Sequence, residues 1–214
     1  IPGGEPFLSE IKKQKRLLQK YVESGRSKDI SLHYTTNGQI FPNTEWWNLW
    51  QNFKEIDMQL SIDGVGKRYE YIRFPGKQHV IEQNVELYIE KEKTNNNLRL
   101  SVSHTVSSYN IYYLTEFFNW CEQVGLPRPW CGVVHTPKYM RPQVYPQAIK
   151  NKIIEHLKGS RYEDVQTWAH YLTNNDSSEY FSEFLRLTDA HDLYRNLNFA
   201  NTFPEVKELL DAVK

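Results

Sequence analysis

Three short stretches of this 214-residue chain combine residue types suited to holding a small zwitterion. The sequence begins IPGGEPF, which sets Gly3 and Gly4 before Glu5 and Pro6. Glycine admits positive φ and lets backbone approach a ligand with no Cβ in the way. Its carbonyls can accept from an ammonium group, and Glu5 adds a carboxylate. The same stretch also reads as a plain strand-to-helix turn, because proline is favoured in a first helical turn. TTNG at 35–38 offers Thr35 and Asn37 beside a glycine, and SIDGVGKRYEYIR at 61–73 offers Ser61, Asp63 and Arg73. Ser61 and Asp63 suit hydrogen bonds to a sugar hydroxyl or to their own loop, and Arg73 suits bidentate capture of a carboxylate. An amino-acid-like ligand would meet Glu5 at its ammonium end and Arg73 at its carboxylate end.

Other chemistry-bearing residues group less well. His104 and His135 fall at the ends of successive predicted strands, where they either face a substrate, with Thr105 beside them, or serve as hydrogen-bonded structural histidines. Asp189 and His191 are two apart and do not share a helix face, so DAHDLYR reads as helix surface. Cys121 and Cys131 are too few for a disulfide framework or a four-thiolate metal site, and both read as ordinary semi-buried thiols. Trp46, Trp47 and Trp50 read as packing, since no basic groove accompanies them. There is neither a P-loop nor a nucleophile elbow.

The elements that must position these residues follow from hydrophobic period. Runs at 29–38, 56–64, 98–106 and 130–137 read as strands, and 7–25, 43–53, 77–93 and 110–125 read as helices. Beyond 146 the pattern is helical only, over 146–158, 162–173, 178–196 and 204–213, with packing expected through Phe181, Phe184, Leu185 and Leu193. Strands alternating with helices make parallel sheets through βα crossovers, and functional groups gather at the C-terminal ends of such strands. GGEP, TTNG, SIDG, SHTVSSYN and VHTPKY are all read at such ends. The series opens on a helix, so the strand that should precede it is missing.

Lys plus Arg and Asp plus Glu both number 26, which leaves no electrostatic footprint for nucleic acid or an anionic membrane. No stretch reaches the roughly 18 apolar residues of a membrane span. A reduced, cytoplasmic compartment is the default for so few cysteines.

Taken in order, GGEP at 3–6, TTNG at 35–38, SIDG…YEYIR at 61–73 and TVSSYN at 105–110 resemble the radical S-adenosylmethionine (radical SAM) superfamily, over roughly residues 1–137. The spacing of SIDG to EYIR looks most like the branch with a shortened auxiliary "twitch" region. The resemblance implies an α/β fold, a partial (β/α)6 barrel over 1–137, with a helical C-terminal extension over 138–214. It implies reductive cleavage of SAM at a 4Fe-4S cluster to give a 5′-deoxyadenosyl radical, which abstracts hydrogen from a peptide or small-molecule substrate. An electron donor such as flavodoxin or ferredoxin would supply the reduction. Gly3, Gly4 and Glu5 would meet the SAM amino group, Ser61 its ribose or carboxylate, and Arg73 its carboxylate. The CxxxCxxC loop that binds the cluster is absent and expected upstream of Ile1, so this chain is expected to be an N-terminally truncated fragment, inactive alone. The alternative is a cluster-free βα-type protein that binds a nucleotide or SAM, or acts as a scaffold, without catalysis.

Overall fold

Alternation in IDMQLSI dictates a half-buried strand: Ile56, Met58 and Leu60 are buried while Asp57, Gln59 and Ser61 remain partly exposed. The computed structural model describes residues 4–8 and 11–212; Gly3 lies outside them. Four strands, β1 (Ser31–Thr36), β2 (Glu55–Ser61), β3 (Leu98–Val106) and β4 (Trp130–Val133), form one parallel sheet in the order β1-β2-β3-β4. They alternate with α1 (Ile11–Glu23), α2 (Thr44–Trp50), α3 (Lys67–Ile72), α4 (Gln78–Thr94) and α5 (Leu114–Val124). The α/β class expected from the sequence is therefore observed. Each strand lies beside the next in sequence, as helical crossovers require. The short α3, started by Gly66 at φ 61°, is an element that hydrophobic period does not reveal.

By contacts the chain divides into two compact units. One holds the described residues up to Ile62 together with Gly76–Ser103 and Cys121–Trp130; the other holds Asp63–Pro75, His104–Trp120 and everything from Cys131 on. These units interleave along the chain.

In the first unit, strand register fixes two unlike faces. Tyr34, Met58 and Leu100 align across the sheet, as do Thr36, Leu60 and Val102, and all six are buried. Each buried aliphatic side chain here contributes ~1.5–3 kcal/mol. Aromatic rings thicken this core: Trp50 lies 5.1 Å from both Tyr34 and Trp46, and Trp47 packs at 5.0 Å from Trp50. The tryptophans are packing, as expected. Asn43 caps α2 by accepting from the Trp46 amide.

The second unit contains α6 (Gln147–Lys158), α7 (Glu163–Asn174), α8 (Phe181–Arg195), α9 (Phe199–Thr202) and α10 (Pro204–Asp211). Tyr71, Tyr109, Phe184 and Phe203 form its aromatic centre, with Tyr71 and Phe203 5.0 Å apart, edge to face. Phe184 is fully buried as expected, but Leu193 is 87 % exposed, which corrects the expected packing. At ~100° per residue, nine positions carry Leu193 to the far side of α8 from Phe184. No helix among the described residues is long and apolar enough to cross a membrane.

Candidate functional site

In the first unit, two of the sequence motifs interlock. Gly4 takes φ 91° and an added Cβ there would meet nothing, so its backbone is open to approach. Pro6 lies in a turn closed by the Leu8 N–H donating to the Glu5 carbonyl at 3.2 Å. Glu5 Oε1 accepts the Thr36 hydroxyl at 2.6 Å, and Oε2 accepts the Asn37 N–H at 2.8 Å. The Gly38 N–H donates to Thr36 Oγ1 at 3.1 Å, and Asn37 Oδ1 closes an Asx turn on the Gln39 N–H. Gly38 sits at φ 70° with its Cβ position 2.3 Å from Ile81 Cδ1, and its carbonyl accepts from Asn84 Nδ2 at 2.8 Å. The residue that meets Glu5 is thus Thr36. Alternation along β1 turns Thr35 to the other face, where it donates to Gln59 Oε1 at 3.3 Å.

That other face carries groups that sequence reasoning missed. His33 aligns with Asp57 and Arg99, and Thr35 with Gln59 and Ser101, while Ser61 lies opposite Ser103. His33 Nδ1 is 2.7 Å from Asp57 Oδ2, Ser101 Oγ donates to Asp57 Oδ1 at 3.2 Å, and His33 Nε2 is 3.2 Å from Thr35 Oγ1. The His33 and Asp57 side chains stay 55 % and 44 % exposed, so this polar face is open. The signal was available in the polar half of each strand's alternation.

In the second unit the remaining motifs converge on Asp63. Its Oδ1 accepts the Thr105 N–H at 2.7 Å, and its Oδ2 forms an ion pair with Arg73 Nε at 2.6 Å. Asn110, buried, donates from Nδ2 to the carbonyls of Asp63 at 3.1 Å and Thr105 at 2.9 Å, and its Oδ1 accepts the Ser107 N–H. Asp63 therefore fixes its loop and aims Arg73, whose two terminal nitrogens make no hydrogen bond among the described residues. Asn110 belongs with the site although only its motif was noticed.

The histidines separate. His104 is buried with its ring centroid 4.2 Å from that of Phe117, because the alternation along β3 puts it on the same side as Val102 and Val106. His135 is exposed, and its carbonyl accepts from Arg141 Nε at 3.0 Å.

No group of three or more metal-ligating side chains occurs among the described residues. Cys121 is buried in α5, and Cys131 lies in β4 with its thiol pushed up to about 12 by burial and then by the nearby Asp164 and Asp63 carboxylates. Two thiols are fewer than the ligands a 4Fe-4S cluster takes, so these residues alone do not hold one. Glu5 in the first unit and Arg73 in the second each keep capacity for a polar ligand group. A carboxylate oxygen has lone pairs left after one hydrogen bond, and Arg73 keeps its fork. No protein-family model matches the chain, and neither a curated protein nor a solved structure matches it significantly.

Proposed function

We propose that this chain is part of a radical SAM enzyme. The observation that carries the reading is Glu5 of GGEP holding the Thr36 hydroxyl and the Asn37 amide of TTNG, 31 and 32 residues away. Motifs matched by chance at separate turns would have no reason to interlock. SIDG, EYIR and TVSSYN meet in the same way at Asp63.

The open polar face of β1, β2 and β3 supports the barrel half of the reading. Parallel sheets are ordinarily covered on both faces, and a polar inner wall suits an incomplete (β/α)6 barrel. Within the first unit, Gly4 and Glu5 would hold the SAM amino group and Ser61 its ribose. Within the second, Arg73 would meet a carboxylate, held in aim by Asp63. Bound at a reduced iron–sulfur cluster, SAM supplies hydrogen-atom abstraction from a peptide or small-molecule substrate. The cluster's thiolates must come from outside these 214 residues, since Cys121 and Cys131 cannot supply them.

The test begins with the coding sequence upstream of Ile1, where a CxxxCxxC is expected. The full-length protein, reconstituted with iron and sulfide without oxygen, should gain visible cluster absorbance and cleave SAM to 5′-deoxyadenosine under reductant. A frame with no such motif, or a reconstituted cluster without SAM cleavage, overturns the reading. SAM binding without any cluster would favour the cluster-free binding protein instead.

A further inference from the structure

A cavity of about 240 Å³ opens among α6, α8, α9 and α10, within the second unit. Its walls are apolar: Phe184 and Ile149 are almost fully buried, with Phe181, Phe199 and Leu210 beside them. Phe181 and Phe184 lie near-parallel at 6.2 Å between centroids, and Phe199 stands edge-on to Phe184 at 6.0 Å. Such walls accept a further ring in offset or edge-to-face contact. The volume falls below the ~300–1,000 Å³ of drug-sized sites, so the body that fills it is a single ring or a short aliphatic chain.

Polar groups at the cavity select the other end of the ligand. The Thr188 hydroxyl is occupied by Tyr109 Oη at 3.1 Å, and the Lys207 ammonium is paired with Asp211. Asp189, which the sequence placed on a helix surface, borders the cavity and makes no hydrogen bond or ion pair among the described residues. Arg186, on the same helix, does not border it. Around the opening, the one charge left uncompensated is therefore negative. A ligand carboxylate or phosphate would face Asp189 and Asp211 across a lysine already neutralised.

We propose that this cavity binds a small primary amine with a single-ring apolar body, seated with its ring against Phe184 and Phe199 and its ammonium at Asp189. The site is independent of the radical SAM reading and survives or fails without it.

The probe is phenethylamine, titrated calorimetrically into the whole chain beside phenethyl alcohol and 3-phenylpropionate as neutral and anionic analogues. The amine should bind about fivefold tighter than the alcohol, the gain expected of an ion pair near the surface, and the carboxylate weaker than both. Asp189→Asn should bring the amine to the level of the alcohol. Leu185→Trp, which fills the cavity from its rim, should abolish binding of all three while circular dichroism shows the fold retained. Should Leu185→Trp unfold, Leu185→Phe serves the same purpose with a smaller ring. The proposal is overturned if the carboxylate binds as tightly as the amine. It is also overturned if Asp189→Asn leaves the preference intact, or if none of the three binds the folded chain.

Discussion

Arg73 Nε lies 2.6 Å from Asp63 Oδ2, while the other oxygen of that carboxylate takes the Thr105 amide at 2.7 Å. One buried acid thus ties the end of β2 to the end of β3 and orients a guanidinium whose own side chain is 28 % exposed. Removing the acid strands an amide and leaves the arginine unpaired. Asp63→Ala should therefore cost about 2–3 kcal/mol in urea denaturation, discounted from a fully buried pair by the exposure of Arg73. Arg73→Lys keeps the charge and should cost under about 1 kcal/mol, yet it forfeits the fork that suits a carboxylate. Equal losses for the two variants would overturn the assignment of a joint amide-holding and charge-pairing role to Asp63.

Much of this site was legible because its residues sit at strand ends, and strand ends are marked by a change from period two to glycine and polar residues. TTNG and SIDG announced themselves in this way. What was not legible was which side of a strand each residue takes once the run ends. Thr35 and Thr36 are indistinguishable by type, and only the strand's parity sends Thr36 to Glu5 and Thr35 to Gln59. Parity also removes His104 from the open face and places Ser103 and Thr105 on it. The His33–Asp57 pair escaped notice because its members stand 24 residues apart and meet only through parallel register. Leu193 misled for the opposite reason: a leucine in a helical run suggests a buried stripe, but its angular position on α8 is wrong for one.

Gly38 is held by two requirements at once, a φ of 70° and a Cβ position 2.3 Å from Ile81 Cδ1. Gly38→Ala should destabilise by about 1–2 kcal/mol through the left-handed backbone alone, with a further loss from the collision. Since the colliding atom is the tip of a flexible side chain, Ile81→Val in the same chain should recover the second part. The pair should be less destabilising than the sum of the single variants, by about 0.5–1 kcal/mol in a double-mutant cycle. Strict additivity would mean that Ile81 moves aside at no cost.

Buried tyrosines set the alkaline limit. Burial pushes the Tyr109 hydroxyl from 10.0 up to about 12, against a smaller opposing effect of its hydrogen bond to Thr188. Burial likewise raises Tyr71, Tyr88, Tyr113 and Tyr145. Above 10.0 the unfolded chain releases protons that the folded chain retains, so stability is intact below that pH and falls as pH rises beyond it. The slope is about 1.4 kcal/mol per pH unit for each such tyrosine. Urea midpoints measured from about pH 8 to about pH 11 should be flat and then drop steeply, and Tyr109→Phe should make the drop shallower. A midpoint unchanged throughout would mean that these hydroxyls ionise in place.

Lys150 carries its ammonium into the interior, with only 3 % of its side chain exposed, and meets Asp176, whose side chain is 59 % exposed. The lysine's hydrogen bond holds the Asp176 carboxyl below its usual range. The two partners are not equal in what their loss leaves behind. Asp176→Ala abandons a buried ammonium and should cost about 2–3 kcal/mol, together with the Asx contacts to Ser178. Lys150→Met removes the buried charge and fills the same space, so only an exposed carboxylate loses its partner. That variant should lie within about 1 kcal/mol of the parent, and adding Asp176→Ala to it should cost little more. If Lys150→Met proved as damaging as Asp176→Ala, the lysine's value would lie in the pair itself, and the buried ammonium would be a net stabiliser of α6.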